Sequence, residues 1–257
     1  MGATRTDLEA LTNRLARALP DAPRFVDTRA MLLSGHATVA GGASETDGFV
    51  VRLVHGAQSV VAVVGRPPGE AIRSATTGTT EMTPVLAQAG NANHVAASLP
   101  DWRGERMMLH RLDSEPPLPA IEPATSIRLA TPDDALDHMP SGLRFEISHA
   151  IELAPVAIAL VDGRAVSFCY PCWITESLWD VSIDTLAEYR GRHLGAHVVR
   201  FMVEHMRPSG RRPVWGALES NTASLRLARR LGFVPIDESI VAFSRGPWAF
   251  LTNGYRG

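Results

Sequence analysis

Apolar positions recur along this chain in two rhythms, one helical and one alternating. Leu8, Leu11, Leu15 and Ala18 fall at helical spacing, which predicts a helix over residues 5–18. Two β-rich runs follow, Gly48–Val54 and Ser59–Gly65. His55-Gly56-Ala57-Gln58 joins them as a hairpin loop. A short helix over Gly69–Thr76, a strand Pro84–Ala87, a helix Asn91–Leu99 and an extended Arg106–Leu112 complete the first half. Pro116, Pro117, Pro119 and Pro123 then crowd one short segment. Proline lacks an amide donor and stiffens the chain, so a boundary is expected there. It divides the chain into an N-terminal α/β domain at 1–115, a linker at 116–125 and a second domain at 126–257.

The second half alternates strand and helix more clearly. Ser126–Ala130 reads as a strand, and Thr131-Pro132-Asp133-Asp134 as a helix start with Thr131 as cap. Ser141 is expected to cap a helix reaching Leu153. Val156–Val161 and Ala165–Trp173 read as strands joined by the turn Asp162-Gly163. Leu178–Asp184 is a further strand. Arg190–Met206 is a helix with Leu194, Val198, Val199 and Met202 on one stripe. Pro213–Leu218 is a strand, Asn221–Leu231 a helix closed by Gly232, and Phe233–Ser244 a strand. The fold class is therefore α/β, of the mixed α+β kind with a mixed sheet.

Composition narrows the partners. The 257 residues are 45% apolar and 20% charged, with 25 basic and 27 acidic side chains and a formal charge of −2. Nothing in that balance calls for nucleic acid or an anionic membrane. No apolar run approaches the roughly 20 residues that span a bilayer, and the first residues lack the apolar core of a signal peptide. The two cysteines, Cys169 and Cys172, fit a reduced, cytoplasmic protein. Their C-x-x-C spacing would need a second pair to close a zinc site, so no metal is expected. His94 and His110 stand alone and suggest no catalytic cluster.

The stretch from Val181 to Ala196 carries the chemistry. A strand ends near Asp184–Thr185, and a helix is expected to begin near Gly191–Leu194. A helix start leaves N–H groups unpaired and holds the positive end of the dipole. Gly191 and Gly195 allow a ligand close to the backbone, and Arg190 and Arg192 add positive charge. Such a turn suits a diphosphate. Its glycine spacing is not the G-x-G-x-x-G of dinucleotide folds.

Arg190-Gly-Arg-His-Leu-Gly-Ala196 resembles the R-x-x-G-x-G/A pyrophosphate loop of the GNAT (GCN5-related) N-acetyltransferases. Asn221-Thr-Ala-Ser-Leu-Arg-Leu-Ala-Arg-Arg-Leu-Gly-Phe233 resembles their N-x-x-(A/S)-x-x-L-x-x-x-L-G-F helix. With Trp215-Gly-Ala217, the chain resembles most the branch that includes antibiotic self-resistance acetyltransferases of the zwittermicin type. The resemblance covers about 126–244. It implies the GNAT fold there, with acetyl-CoA as co-substrate. It also implies cofactor contacts at Thr185 (backbone), Arg190, Gly191, Arg192, His193, Leu194, Gly195, Ala196, Asn221 and Ser224. The chain departs from the pattern twice: His193 replaces the middle glycine of the loop, and Ala228 stands where many members carry an acidic tyrosine.

The implied reaction is direct attack of a primary amine on the acetyl thioester; the acceptor is expected among small molecules, with antibiotics, polyamines and protein N-termini all left open by the sequence. An alkylamine has a pKa of about 10.4, so a base must take a proton. Asp180, Glu176 and Asp184 are the candidates, and each is equally readable as a surface acid or a substrate contact. Trp173 and Trp179 are read as core or as pocket lining, and Arg211 and Arg212 as solvated or as phosphate contacts. A homodimer is left open. The first half reads as a degenerate copy of the second, in which Arg66-Pro-Pro-Gly69 lacks the phosphate features. The alternative reading is a non-catalytic acyl-CoA sensor or pseudoenzyme.

Overall fold

A computed structural model describes residues 5–246, apart from 43, 45, 46, 56, 57 and 82. The hairpin loop expected at 55–58 therefore lies partly outside the described residues. The chain forms two compact units. One takes in residues up to Leu109, with Leu218–Ser220 and residues 236–246. The other takes in His110–Ala217 and Asn221–Pro235. The proline-rich segment 116–123 thus belongs to the second unit.

The first unit opens with α1 (Arg5–Ala18) as expected. Its buried stripe is Thr12, Leu15, Ala16 and Leu19, one step round from the expected face. A second helix, α2 (Val26–Leu33), was not foreseen. Buried Arg29 on α2 donates Nη1 to the carbonyls of Ala16 and Leu19, which satisfies acceptors left free at the end of α1. Strands β1 (Thr38–Gly41), β2 (Phe49–His55) and β3 (Gln58–Val64) form an antiparallel run. Helix α3 (Gly69–Ala75) then crosses to β4 (Val85–Gln88), which pairs β3 in parallel. Helix α4 (Ala92–Ser98) and β5 (Arg103–Leu112) follow. β4 pairs antiparallel with the far end of β11 (Phe233–Ser244). Val61, Val63, Ile72, Val85, Ala87, Val95 and Phe243 fill the core between this sheet and α3 and α4.

The second unit runs β6 (Thr125–Leu129), α5 (Ser141–Leu153), β7 (Ala157–Val161), β8 (Arg164–Ile174), β9 (Leu178–Thr185), α6 (Leu194–Met206), β10 (Arg212–Leu218), α7 (Thr222–Arg230) and the start of β11. Strands β6 to β9 pair antiparallel in sequence order, and β10 pairs β9 in parallel. Asp162 and Gly163, at φ 50° and 77°, form the tight β7–β8 turn. Val198, Val199 and Met202 of α6 are buried in the core with Val166, Phe168, Trp179 and Trp215.

Three local expectations are corrected. No helix starts at Thr131. The Asp134 carboxylate instead accepts the Thr131 amide (2.7 Å) and the Arg128 guanidinium, a closed turn rather than a helical first turn. That pairing holds the Asp134 carboxyl below its ordinary range. Pro140, not Ser141, is the residue before α5, and no side chain caps that helix. Helix α6 begins at Leu194, within the start expected near Gly191–Leu194 but four residues beyond the Arg190 bound.

Candidate cofactor cleft

Strand β9 is paired with β8 through Thr185 on one edge. On the other edge it pairs β10 only over Leu178–Asp180 with Arg212–Val214. The second half of β9 thus leaves its β10 side open. Beyond Thr185 the chain makes a single turn of 3-10 helix at Ala187–Tyr189. Gly191 and His193 then both take left-handed backbone, at φ 79° and 63°. Left-handed residues beside right-handed ones turn successive N–H groups inward, a concavity that binds anions. The Ala196 and His197 amides bond the His193 carbonyl, but those of Gly191 through Gly195 bond no other group among the described residues. They sit at the N-terminus of the 13-residue α6, where the dipole favours negative charge.

The cleft over this turn encloses about 250 Å3. Ile183, Asp184, Thr185, Tyr189, Arg190, Gly191, His193, Leu194, Gly195 and Ala196 line one side, and Ala223, Ser224, Leu227 and Arg230 the other. Expected and observed lining therefore share Thr185, Arg190, Gly191, His193 through Ala196 and Ser224. Tyr189, Arg230 and the apolar side chains Ile183 and Leu227 were not foreseen. Arg230 is the last residue of α7, reached only once Asn221 sets that helix's phase.

Details differ from the sequence picture. His193 is not inside the helix but caps it in left-handed form, a conformation His tolerates better than most residues. Gly195 is small for packing: a Cβ there would lie 2.9 Å from Ile183 Cδ1 on β9. The Arg192 guanidinium pairs Glu122 through Nε (3.0 Å) and lies over the Tyr189 ring, away from the cleft lining. The Thr185 carbonyl accepts from Arg190 Nε (3.1 Å), which fixes that arginine at the mouth of the turn. Asn221 Oδ1 caps α7 by accepting the Ser224 amide (3.1 Å), so its role is to place the helix. Ser224 Oγ in turn accepts from buried Trp215 Nε1 (2.9 Å), and Trp215 meets Phe233 edge-on at 5.1 Å. Ala228 is fully buried.

The three candidate bases separate. The Asp180 carboxylate accepts the Trp173 amide (2.6 Å) where β8 bulges between Pro171 and Ile174. Glu176 is exposed in the turn before β9. Of the three, Asp184 reaches the cleft. Arg211 donates Nε to the Thr175 carbonyl (2.9 Å), and Trp179 is core. Cys169 and Cys172 are free thiols, and no group of three metal-ligating side chains occurs among the described residues. No helix there is long and apolar enough to cross a membrane.

A split parallel strand pair, a donor-rich turn and a facing capped helix thus frame one cleft in a mixed α/β fold. Residues 157–241 match the family model of the GNAT acetyltransferases, and this segment belongs to that family. No curated protein matches the chain. Among solved structures, a GCN5-related N-acetyltransferase-like protein from Streptococcus suis 89/1591 aligns at TM-score 0.63 and 14% identity, over 94% of this chain and 99% of its own. An acetyltransferase of the GNAT family from Novosphingobium aromaticivorans aligns at 0.59 and 17%, over 88% and 100%. A tandem GNAT protein from the clavulanic acid biosynthesis pathway aligns at 0.54 and 17%, over 95% of both chains. At these identities the likeness is one of fold. It extends through both units, so the first unit is GNAT-like as well.

Proposed function

We propose that the second unit moves an acetyl group from acetyl-CoA to a primary amine of a small molecule by direct attack. The observation that supports this reading best is the row of free amides at Gly191–Gly195 beneath the open edge of β9. Those residues suit the cofactor's diphosphate, with Arg190 and Arg230 adding charge at the same cleft. When bound, acetyl-CoA supplies an acyl thioester whose thiol, with a pKa like that of cysteine at about 8.5, departs without strong acid help. The loss of a tyrosine at Ala228 is therefore compatible with turnover. Asp184 is the carboxylate placed to take the proton of an arriving ammonium.

Ala228 also motivates the second reading, an acyl-CoA sensor without turnover. Titration calorimetry with acetyl-CoA, paired with CoA release over a panel of amines, separates the two. Saturable binding with amine-dependent CoA release is expected. Binding with no release from any amine favours the sensor, and no binding removes both readings.

A further inference from the structure

On β8 and β9 the pleat places Phe168 opposite Asp184 and Tyr170 opposite Ser182. Tyr170 and Asp184 are thus diagonal neighbours on one face, within reach of a long side chain. The buried Tyr170 hydroxyl lies 3.1 Å from Asp184 Oδ2 and 2.7 Å from Oε1 of Glu146, which α5 brings in from the other side. One phenolic hydrogen cannot serve two carboxylates at once. A proton that arrives on one carboxylate can therefore pass to the other through the phenol. Asp184 lines the cofactor cleft, while Glu146 is only partly buried.

We propose that Tyr170 is a proton relay that joins Asp184, at the cleft, to Glu146, at the solvent side. The inference rests on the acyl-transfer reading above. With both carboxylates ionised, Asp184 takes one proton from the ammonium of the acceptor. The freed lone pair forms the C–N bond to the acyl carbon, and the C–S bond breaks. A second N–H proton goes to the departing thiolate. The proton on Asp184 passes to the Tyr170 oxygen as the phenol gives its own to Glu146, and Glu146 releases it to water. Each transfer ends with Tyr170 neutral and Asp184 ionised, ready for the next amine.

The electrostatics agree. Burial, and then the charge of Asp184, hold the Glu146 carboxyl above its ordinary range. Burial and the same acids hold the Tyr170 phenol well above its own, so it stays a donor. The titratable groups that act on the Tyr170 phenol are Asp184 from β9, Glu146 from α5 and Cys172 from β8, and Asp180 acts in turn on Cys172.

The test uses the full chain, acetyl-CoA, and two probe acceptors: butylamine, which is protonated at pH 7, and aniline, which is not. Asp184→Asn should lower kcat for butylamine by about 100-fold or more, the usual worth of a positioned base, and act far less on aniline. Tyr170→Phe keeps the ring and its packing. It should lower kcat for butylamine by about tenfold, shift the acid limb of the pH–rate profile, and leave the acetyl-CoA Kd unchanged. Carbon-13 titration of the side-chain carboxyls, which needs no acceptor, should show Glu146 and Asp184 titrating together in the parent and independently in Tyr170→Phe. An unchanged pH profile and unchanged carboxyl titration in Tyr170→Phe overturn the relay while leaving acyl transfer standing. An equal loss for both amines in Asp184→Asn also overturns it. No CoA release by the parent chain from any amine removes the relay together with the acyl-transfer reading.

Discussion

Two parallel crossovers in this chain, β3-α3-β4 and β9-α6-β10, begin from the same topology and end with opposite chemistry. In the first, β3 stays paired with β4 through Val63, one residue from its end. The turn to α3 then runs through Pro67 and Pro68, which have no N–H to offer. The Pro67 carbonyl is taken by His94 Nε2 at 2.7 Å. Gly48 packs so tightly against the turn that a Cβ would come within 2.4 Å of the Pro67 nitrogen. In the second crossover, β9 leaves β10 after Asp180, and the turn presents five free amides. A parallel crossover alone therefore presents no row of free amides. That row needs residues with an N–H to offer, left-handed residues to aim them, and a strand edge left open beside them.

The largest effect is expected where backbone conformation is removed. Gly191→Pro forces φ near −65° where 79° is required and takes away one amide. Acetyl-CoA affinity should fall by about 100-fold or more, as read by calorimetry, with no residual second phase. Gly191→Ala meets no atom within 4 Å, so only its φ is strained; a loss of about five- to tenfold is expected. The parent chain should bind one acetyl-CoA per chain. A stoichiometry of two would show that the proline turn of the first unit binds after all.

Next in size is charge. Arg230→Ala removes a cation from the cleft lining without touching the turn. Affinity should drop by about tenfold in low salt and by less at high ionic strength, since exposed charges are screened beyond about 10 Å at 0.1 M. A loss independent of salt would assign Arg230 a packing role instead.

Smaller again is the pH dependence that Glu146 imposes on the second unit. Its raised carboxyl means that the folded state holds this proton more tightly than the unfolded chain does. The contribution is fully present below the ordinary glutamate range and is lost as pH rises through the raised value. Glu146→Gln should therefore gain stability relative to the parent as pH increases. Melting temperatures measured from acid to neutral pH check the sign, and a constant difference would contradict it.

Much of the second unit was readable because its elements are long and strongly patterned. Strands β7 to β9, helix α6 and helix α7 all fall within a few residues of expectation. What escaped has physical reasons. Helix α2 buries Val26, Thr28, Arg29, Ala30, Met31 and Leu32, so no polar face marks it as amphipathic. β1 is only four residues at a sheet edge. Thr131-Pro132-Asp133-Asp134 carries every helix-start residue type, yet Arg128 captures the aspartate first. Glu146 and Tyr170 lie 24 residues apart and bear no spacing signal. The alternation of β8 and β9 about a fixed hairpin register was the one clue that Tyr170 and Asp184 share a face.

The finest test concerns the residue that breaks the family's loop pattern. His193 holds φ 63° at the start of α6, a conformation that costs an ordinary L-residue about 1–2 kcal/mol. Glycine would adopt it freely, but would also lose more entropy on folding, about 0.5–1 kcal/mol. His193→Gly should thus change stability by no more than about 1 kcal/mol, in the stabilising direction if strain outweighs entropy. The amides of the turn would keep their aim, because the backbone path is the one glycine prefers. Any change in acetyl-CoA affinity then reports the imidazole itself, which lines the cleft. Unchanged affinity would mean that the turn binds through its backbone alone. Weaker binding despite equal or greater stability would make His193 a ligand contact, and the loop's departure from glycine a gain rather than a loss.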